Sequence, residues 1–131
     1  MKDHKAIIRA VNAAFEKGSV EDVLILCTSD IDWTMVGMGT WSGADTIRKN
    51  WHQMMGDSNP PKIQEDRIIV DDNAGMCDGV VTTLRKDGST MTVYYCDTYR
   101  FDSDGKITEM KSYCIDERPV PQETALTAEQ S

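Results

Sequence analysis

Histidine is nearly absent from this chain of 131 residues, which contains only His4 and His52. Because most metal centres built on imidazole draw on several histidines or cysteines at short spacing, a histidine-based metal site is not expected. His52 falls just off the apolar stripe of a predicted helix, beside Arg48 and Lys49. That position favours a solvated side chain at the rim of a site over a catalytic one.

Cysteine pairs with metal-ligand spacing are also lacking, since the four cysteines form no CxxC or similar pattern. Their distribution is typical of small buried thiols in a reducing cytoplasm. The segment DSDG at 102–105 contains part of a calcium loop, but the remaining ligand positions are missing, so it predicts a hairpin turn. The sequence therefore predicts neither a metal ion nor any other cofactor.

Positive charge and long apolar runs are the other deficits. Fourteen Lys and Arg residues oppose 22 Asp and Glu, for a net charge of −8, and the basic residues are scattered. Nucleic acid and anionic membrane surfaces are therefore unfavourable partners. No apolar run approaches the length of a membrane span, and the N-terminal segment is too polar and too periodic for a signal peptide. We expect a cytoplasmic protein with no membrane or nucleic-acid partner.

Hydrophobic residues recur at helical spacing in three segments of the first half of the chain. A first helix is predicted between the cap Asp3 and the stop Gly18, and Ser19 opens a short second helix. The segment IDWTMVG predicts a strand that ends at the glycines of GMGTWSG. A third helix is expected from residue 42 or 43 to about Gly56, with Trp51 and Met55 on its apolar stripe.

The hydrophobic period changes from 3.6 to 2 after the SNPP turn. Strands are predicted at 62–71, 76–86, 90–102 and 106–116, separated by the hairpin turns DDNAG, KDG and DSDG. Helices followed by antiparallel hairpins indicate an α+β domain with one strongly curved sheet packed against the helices. We expect a single domain at 1–117 and a polar, flexible tail at 118–131.

An aspartate interrupts an otherwise aromatic strand face in the segment MTVYYCDTYRF. Side chains alternate faces along a strand. One face of this strand therefore collects Met91, Val93, Tyr95, Asp97, Tyr99 and Phe101. A carboxylate on this face must be paired, hydrogen-bonded or protonated. Asp97 is thus a candidate acid of raised pKa, and the alternative is a structural carboxylate satisfied by neighbouring strands.

The order of elements and three patterns resemble the nuclear transport factor 2-like superfamily, most closely its ketosteroid isomerase and SnoaL-like polyketide cyclase branch. The patterns are DIDWTMVG…W-SG-ADTIRKNW, CDTYRFDSDGKI and ITEMKSYC, and the resemblance covers roughly residues 5 to 116. It implies an α+β barrel in which a cone-shaped, curved antiparallel sheet wraps around three N-terminal helices and encloses one pocket. It also implies a homodimer formed through the outer face of the sheet.

Ketosteroid isomerase activity requires three groups, of which this chain matches one. The late-strand aspartate, kept neutral to hydrogen-bond an oxyanion, matches Asp97 in the frame D-x-aromatic-R-F. The base of the first strand falls on Thr34 and the oxyanion tyrosine of the first helix on Val11. A supporting aromatic of the third helix falls on Trp51. Because threonine and valine cannot replace those groups, this activity is not expected.

The related limonene epoxide hydrolases activate water with an Asp–Arg–Asp arrangement. Their Arg and first Asp positions fall near Val80 and Thr82, and Asp116 is out of frame with the second acid. That activity is not expected either. The polyketide cyclase branch relies on a pocket aspartate with fewer fixed groups, and the sequence contradicts it least.

Strand parity and the resemblance together suggest the remaining wall of a pocket. On the preceding strand, Asp78, Val80, Thr82 and Leu84 are predicted to face inward, with Asp78 beside a bulge at Gly79. On the last strand the inward set is Met110, Ser112, Cys114 and Asp116, with Ser112 near Asp97. The predicted substrate-binding residues around Asp97 are Thr34, Trp51, Met55, Val80, Thr82, Tyr95, Tyr99, Met110 and Ser112.

These residues predict an apolar pocket for a small apolar or aromatic molecule. The corresponding function is a cofactor-free isomerase, cyclase or hydratase acting on a carbonyl or polyketide-like compound, with Asp97 as its acid. The alternative is a non-catalytic ligand-binding or dimerisation module of the same fold, in which Asp97 is structural.

Overall fold

Three helices and six strands make up the fold of the computed structural model, which describes residues 3–55 and 60–117. The helices are α1 (His4–Lys17), α2 (Val20–Leu24) and α3 (Ala44–Met55). The strands are β1 (Cys27–Met35), β2 (Gly39–Ser42), β3 (Lys62–Asp71), β4 (Ala74–Leu84), β5 (Thr90–Phe101) and β6 (Ile107–Asp116). The expected end of the third helix at Gly56 and the expected tail at 118–131 lie outside the described residues. No helix in the described part is long and apolar enough to cross a membrane.

The six strands form one sheet in the order β2-β1-β6-β5-β4-β3. The α+β class, with a curved sheet behind N-terminal helices, is confirmed. The expectation of a wholly antiparallel sheet was wrong at one place, because β1 and β6 run parallel. These two strands are joined through the rest of the domain rather than by a hairpin, and parallel pairing needs such a long connection.

The ends of α1 and α2 follow the capping residues that were predicted. Asp3 Oδ1 accepts a hydrogen bond from Ala6 N at 3.1 Å, and Ser19 Oγ accepts one from Asp22 N at 3.2 Å. Gly18 takes the left-handed conformation (φ 69°) that ends α1. These caps fix which face of α1 turns toward the sheet.

The strand β2 was not predicted. The glycines after Met35 were interpreted as the end of a strand, but Gly37 has a φ of 88° and the chain turns back. Met38 N donates to Met35 O at 2.9 Å, and Trp41 then pairs with Trp33 across the hairpin. Glycine in a positive-φ position is as much a hairpin signal as a strand stop.

The hairpin between β4 and β5 determines which side chains face the helices. Arg85 N donates to Ser89 O at 2.8 Å, which leaves a three-residue loop with Gly88 at a φ of 87°. With this odd loop, odd-numbered residues face inward on both strands, and Cys77 pairs with Asp97. The predicted inward orientation of the set Asp78, Val80, Thr82 and Leu84 was therefore wrong, because a phase error of one residue turns every side chain to the other face.

A bulge bends β3 opposite Gly79. The register of β3 shifts between Glu65 and Arg67, and a Cβ at Gly79 would lie 1.9 Å from the backbone oxygen of Gln64. Asp78 lies beside this bulge as expected, where its Oδ2 accepts from Arg67 Nη2 at 2.6 Å. The bulge is a structural feature that depends on the absence of a side chain at Gly79.

Replacing Gly79 should therefore destabilise the sheet. We expect Gly79→Ala to lower the free energy of unfolding by about 2–3 kcal/mol, because the added methyl meets backbone that cannot move aside. Urea denaturation followed by circular dichroism measures this. The matched control is Gly75→Ala on the same face of β4, where the nearest atom is the flexible end of Ile8 at 3.1 Å. Equal losses in the two variants would contradict the role of the bulge.

Candidate functional site

A cavity of about 430 Å³ lies between α1, α3 and the inner face of the sheet. Its wall is mainly aromatic, aliphatic and thioether. The apolar side chains are those of Phe15, Trp33, Met35, Trp51, Met54, Met55, Ile63, Val81, Met91, Val93 and Tyr95. The exposed wall residues include Lys17, His52, Pro60 and Asp116, which mark the opening. This size and lining suit a small, largely apolar ligand.

Three aromatic rings stiffen one side of the cavity. The ring centroids of Phe15 and Trp51 are 5.9 Å apart with an interplanar angle of 8°. Trp33 lies 5.6 Å from Phe15 and 6.2 Å from Trp51, tilted to both. Such mutual packing holds the three rings in place as a rigid apolar wall of the cavity.

Asp97 is the buried acid of the cavity, with 7% of its surface exposed. Burial raises the pKa of its carboxyl to about 6, and hydrogen bonds from Ser112 and Tyr99 oppose part of that rise. Tyr99 donates its hydroxyl to Oδ2 at 3.5 Å. Ser112 lies directly opposite Asp97 on β6. The carboxyl can therefore exist in both protonation states near neutral pH.

A tryptophan holds the serine that contacts this acid. Trp33 Nε1 donates to Ser112 Oγ at 2.9 Å, and both side chains are buried. Because the serine oxygen accepts from Trp33, its own proton is available for the Asp97 carboxyl. Trp33 and Ser112 thus fix the orientation of the carboxyl.

A second polar cluster joins α1 to the strands β3, β4 and β5. Asn12 Nδ2 donates to Glu65 Oε2 at 3.4 Å and contacts Cys77 Sγ at 3.6 Å. Cys77 Sγ in turn lies 3.4 Å from the hydroxyl of Tyr95. Burial raises the pKa values of the Cys77 thiol and the Tyr95 phenol, so both are neutral at physiological pH. The charged member of the cluster, Glu65, is paired with Arg9.

The structure brings five of the predicted site residues together on the cavity wall, namely Asp97, Trp51, Met55, Tyr95 and Ser112. His52 is exposed at the opening, as its position in the sequence indicated. Whether these side chains bind a substrate stays a prediction.

The other predicted residues lie elsewhere. Tyr99 and Met110 are buried in the core behind the wall. The predicted cavity position of Thr34 was wrong, because its hydroxyl lies on the outer face at 2.8 Å from Thr40 Oγ1. Val80 and Thr82 also face outward, since Val80 pairs with the exposed Tyr94 and the inward positions on β4 belong to Val81 and Thr83.

Several wall residues were missed, of which Asn12, Trp33 and Thr83 are polar or hydrogen-bonding. Asn12 had a detectable signal, because it is a polar residue on the apolar stripe of α1 formed by Ile8, Val11 and Phe15.

Thr83 was missed because the parity of β4 was assigned one residue out of phase. Trp33 was missed because the resemblance, counted without gaps, put the site position of β1 on Thr34. The alternation of β1 itself favours Trp33, since Ile31, Trp33 and Met35 share one face.

The corrected phase does not restore the catalytic groups of the related enzymes. On β1 the cavity-facing residues are Trp33 and Met35, neither of which is a base, and Val11 is buried in the core. Among the described wall residues the acids are Asp97 and Asp116, and none is an arginine, so an Asp–Arg–Asp arrangement is not assembled. The described residues also contain no cluster of three or more His, Cys, Asp or Glu side chains placed to hold a metal ion.

A family model for the SnoaL-like domain matches residues 8–110. The chain belongs to the SnoaL-like family. This places it in the nuclear transport factor 2-like superfamily and confirms the resemblance found in the sequence. No curated protein matches this SnoaL-like chain significantly.

Solved structures share the fold at low sequence identity. An NTF2-like protein of unknown function from Burkholderia pseudomallei is 18% identical over 98% of this chain and 97% of its own, with a TM-score of 0.74. SalBIII is an epoxide hydrolase/cyclase-like enzyme in pyran ring formation in the polyether salinomycin. It is 13% identical over 86% of this chain and 90% of its own, with a TM-score of 0.73. TerC, co-crystallised with polyporic acid, is 20% identical over 96% of this chain and 95% of its own, with a TM-score of 0.72. Enzymes are thus among the structural neighbours of this SnoaL-like domain.

The raised pKa of Asp97 should make the stability of the protein depend on pH. The folded pKa of about 6 exceeds the ordinary value of 3.8. Asp97 therefore favours folding most below pH 4, and this contribution is lost as the pH rises through 6. An asparagine does not titrate. We expect the free energy of unfolding of Asp97→Asn, relative to the wild type, to rise by about 2 kcal/mol between pH 4.5 and 7.

Urea denaturation of both proteins across this pH range measures the difference. Asp78→Asn is the control, because the Arg67 side chain lowers the pKa of the Asp78 carboxyl. A carboxyl of lowered pKa loses its contribution to stability only at pH values below the ordinary 3.8, so the difference between this variant and the wild type should stay nearly constant between pH 4.5 and 7. A flat difference for Asp97→Asn would contradict the buried, titrating carboxyl.

Proposed function

We propose that the cavity binds an apolar carbonyl compound of polyketide type and that Asp97 exchanges a proton with it. The reaction would be a cofactor-free isomerisation, cyclisation or hydration. The observation that carries this proposal is a carboxyl buried on the wall of an apolar cavity, with its pKa raised by burial to about 6. An acid in such a place is a candidate for catalysis rather than for folding.

A carboxyl with this pKa can serve in both directions of proton transfer. A catalytic group works best when its pKa is near the working pH, because both forms are then populated. Protonated Asp97 can donate to the carbonyl oxygen of a ligand, and ionised Asp97 can accept a proton from a neighbouring carbon or hydroxyl. One residue can thereby take the part of the absent first-strand base.

The surroundings of Asp97 support this chemistry. Ser112, which lies opposite Asp97 on β6, and Tyr99, two residues further along β5, both hydrogen-bond the carboxyl. The orientation of the carboxyl is therefore set before a ligand binds. The wall formed by Phe15, Trp33 and Trp51 excludes water, and hydrogen bonds to developing charge are stronger in such a site. A flat, conjugated ligand would suit these rings best.

The structural neighbours support a small-molecule role for the fold. SalBIII is described as an epoxide hydrolase/cyclase-like enzyme, and TerC was crystallised with polyporic acid. Their identity to this chain is low, so the reaction and the substrate proposed here depend on the cavity itself.

Binding of a simple ketone tests the role of Asp97. We expect 2-acetylnaphthalene to bind about tenfold more tightly at pH 5 than 2-isopropenylnaphthalene, which has the same shape without the carbonyl. The preference should shrink at pH 8, where Asp97 is ionised and cannot donate. Asp97→Asn should keep the preference at both pH values, because its amide donates at any pH. Quenching of the fluorescence of Trp33 and Trp51, which line the cavity, reports the binding.

Turnover supplies the decisive comparison once a substrate is identified. Asp97→Asn should lower kcat by a factor of about 10²–10⁴ while the melting temperature and the circular dichroism spectrum show a folded protein. Undiminished turnover by this variant would refute an acid/base role. It would favour the second candidate, a non-catalytic ligand-binding or dimerisation module.

The apolar outer face of the sheet supports dimerisation, which is compatible with either candidate. Val80, Tyr94 and Ile115 form a continuous row across β4, β5 and β6, and Tyr113 is exposed on the adjoining row. Contiguous exposed apolar residues of this kind mark protein contacts. We propose that a second copy of the chain covers this face, with or without catalysis in the cavity.

A charged side chain in this row should separate the two copies. We expect light scattering with size exclusion to give a dimer for the wild type and a monomer for Ile115→Asp, because an aspartate cannot be buried unpaired. Ile25→Asp is the matched control, since both isoleucines are 69% exposed but Ile25 follows α2, away from this face. A monomeric wild type would contradict the proposal that a second copy covers this face.

A further inference from the structure

Asn12 is a buried polar side chain on the cavity wall. It lies on α1 beside Val11 and one turn before Phe15, with 6% of its surface exposed. An asparagine among apolar helix residues is unfavourable unless all of its hydrogen-bonding atoms are paired. The pairing of its amide therefore indicates what the cavity accepts.

The nitrogen and the oxygen of this amide differ in their hydrogen bonding. Its nitrogen has the acceptors Glu65 Oε2 and Cys77 Sγ, at 3.4 and 3.6 Å. Its oxygen, Oδ1, is buried and has no hydrogen-bond partner among the described residues. The orientation is fixed, because a glutamate oxygen accepts rather than donates and Glu65 is itself held by Arg9 Nε at 3.3 Å. The unpaired atom is thus an acceptor in need of a donor.

This acceptor lies close to the acid. Asn12 contacts Cys77, and Cys77 pairs directly with Asp97 across β4 and β5. The cavity wall therefore presents a donor, the protonated carboxyl of Asp97, and an acceptor, Asn12 Oδ1, on two residues that both neighbour Cys77. A ligand that satisfies both must carry an acceptor and a donor of its own.

We propose that Asn12 Oδ1 accepts a hydrogen bond from a hydroxyl group of the ligand, so that the substrate class is a hydroxylated carbonyl compound. The inference rests on the proposed function, because it takes the carbonyl oxygen to lie at Asp97. Asn12 is then a residue that determines specificity. A ligand without the hydroxyl leaves the buried oxygen unpaired, and a site of this kind discriminates against such ligands.

A second unpaired polar atom provides the control. Thr83 Oγ1 is buried on the cavity wall without a partner among the described residues. It lies six positions from Cys77 along β4, which corresponds to about 20 Å of extended strand. Unlike the amide oxygen, a hydroxyl can both donate and accept and rotates freely, so it places no fixed demand on a ligand. Thr83→Val removes it without changing the shape of the side chain.

Isothermal titration calorimetry at pH 5 tests the proposal with 2-acetylnaphthalene and with its monohydroxy derivatives, a set of isomers that carry the hydroxyl at successive positions of the second ring. We expect at least one isomer to bind the wild type about tenfold more tightly than the parent ketone. In Asn12→Leu the ratio should fall to about one, while the parent ketone binds at least as well as before. Thr83→Val should keep the wild-type ratio. Asn12→Ala, which removes the acceptor without filling the space, should repeat the result if the leucine variant does not fold.

The outcomes separate this inference from the function on which it rests. A ratio that survives in Asn12→Leu or Asn12→Ala, or that is lost in Thr83→Val instead, overturns the role of Asn12. Equal binding of all isomers overturns it too, and leaves the proposed function standing if the parent ketone still binds in a manner that depends on Asp97. Loss of that Asp97 dependence, or no binding of any of the compounds, counts against both.

Discussion

The antiparallel pairing of β5 with β4 on one side and β6 on the other is the constraint on which the cavity depends. It sets Cys77, Asp97 and Ser112 side by side on the inner face. Two polar contacts of the site follow from this row, since Ser112 bonds the acid and Cys77 contacts Asn12 on α1. The helices cover the row, and the strands set the spacing of its polar side chains.

Burial of Asp97 lowers the stability of the folded protein at neutral pH. Above pH 6 the folded protein holds a carboxylate in apolar surroundings with only two hydrogen bonds, and its stability is lower for it. Proteins retain such strain at sites where it serves binding or catalysis. Trp33 reduces this loss of stability, because its hydrogen bond to Ser112 Oγ orients the serine hydroxyl toward the carboxyl.

Much of the fold could be predicted from the sequence, because capping residues and hydrophobic periods are local signals. Asp3, Gly18 and Ser19 ended or opened helices where expected, and the acid on the aromatic face of β5 was identified from parity alone. The face of β1 was readable from Ile31, Trp33 and Met35, and Thr34 was misplaced because the resemblance was counted without gaps. The phase of β4 could not be predicted in the same way, since both faces of this strand carry Val and Thr. The loop geometry that decides the phase is a property of backbone conformation at Gly88, which the pattern of side chains does not encode.

The three-residue loop of the KDG hairpin has a consequence for how such a protein can change over time. A single insertion or deletion there, when it is taken up by β4 rather than by the loop, shifts the strand by one position against β5 and exchanges the set Cys77, Val81 and Thr83 for Asp78, Val80 and Thr82. Such a change costs little in loop entropy, because loop closure depends weakly on length. One codon gained or lost in a surface turn could thus replace one side of a ligand cavity at a single step, which offers SnoaL-like domains a route to new specificity without a substitution in the cavity itself.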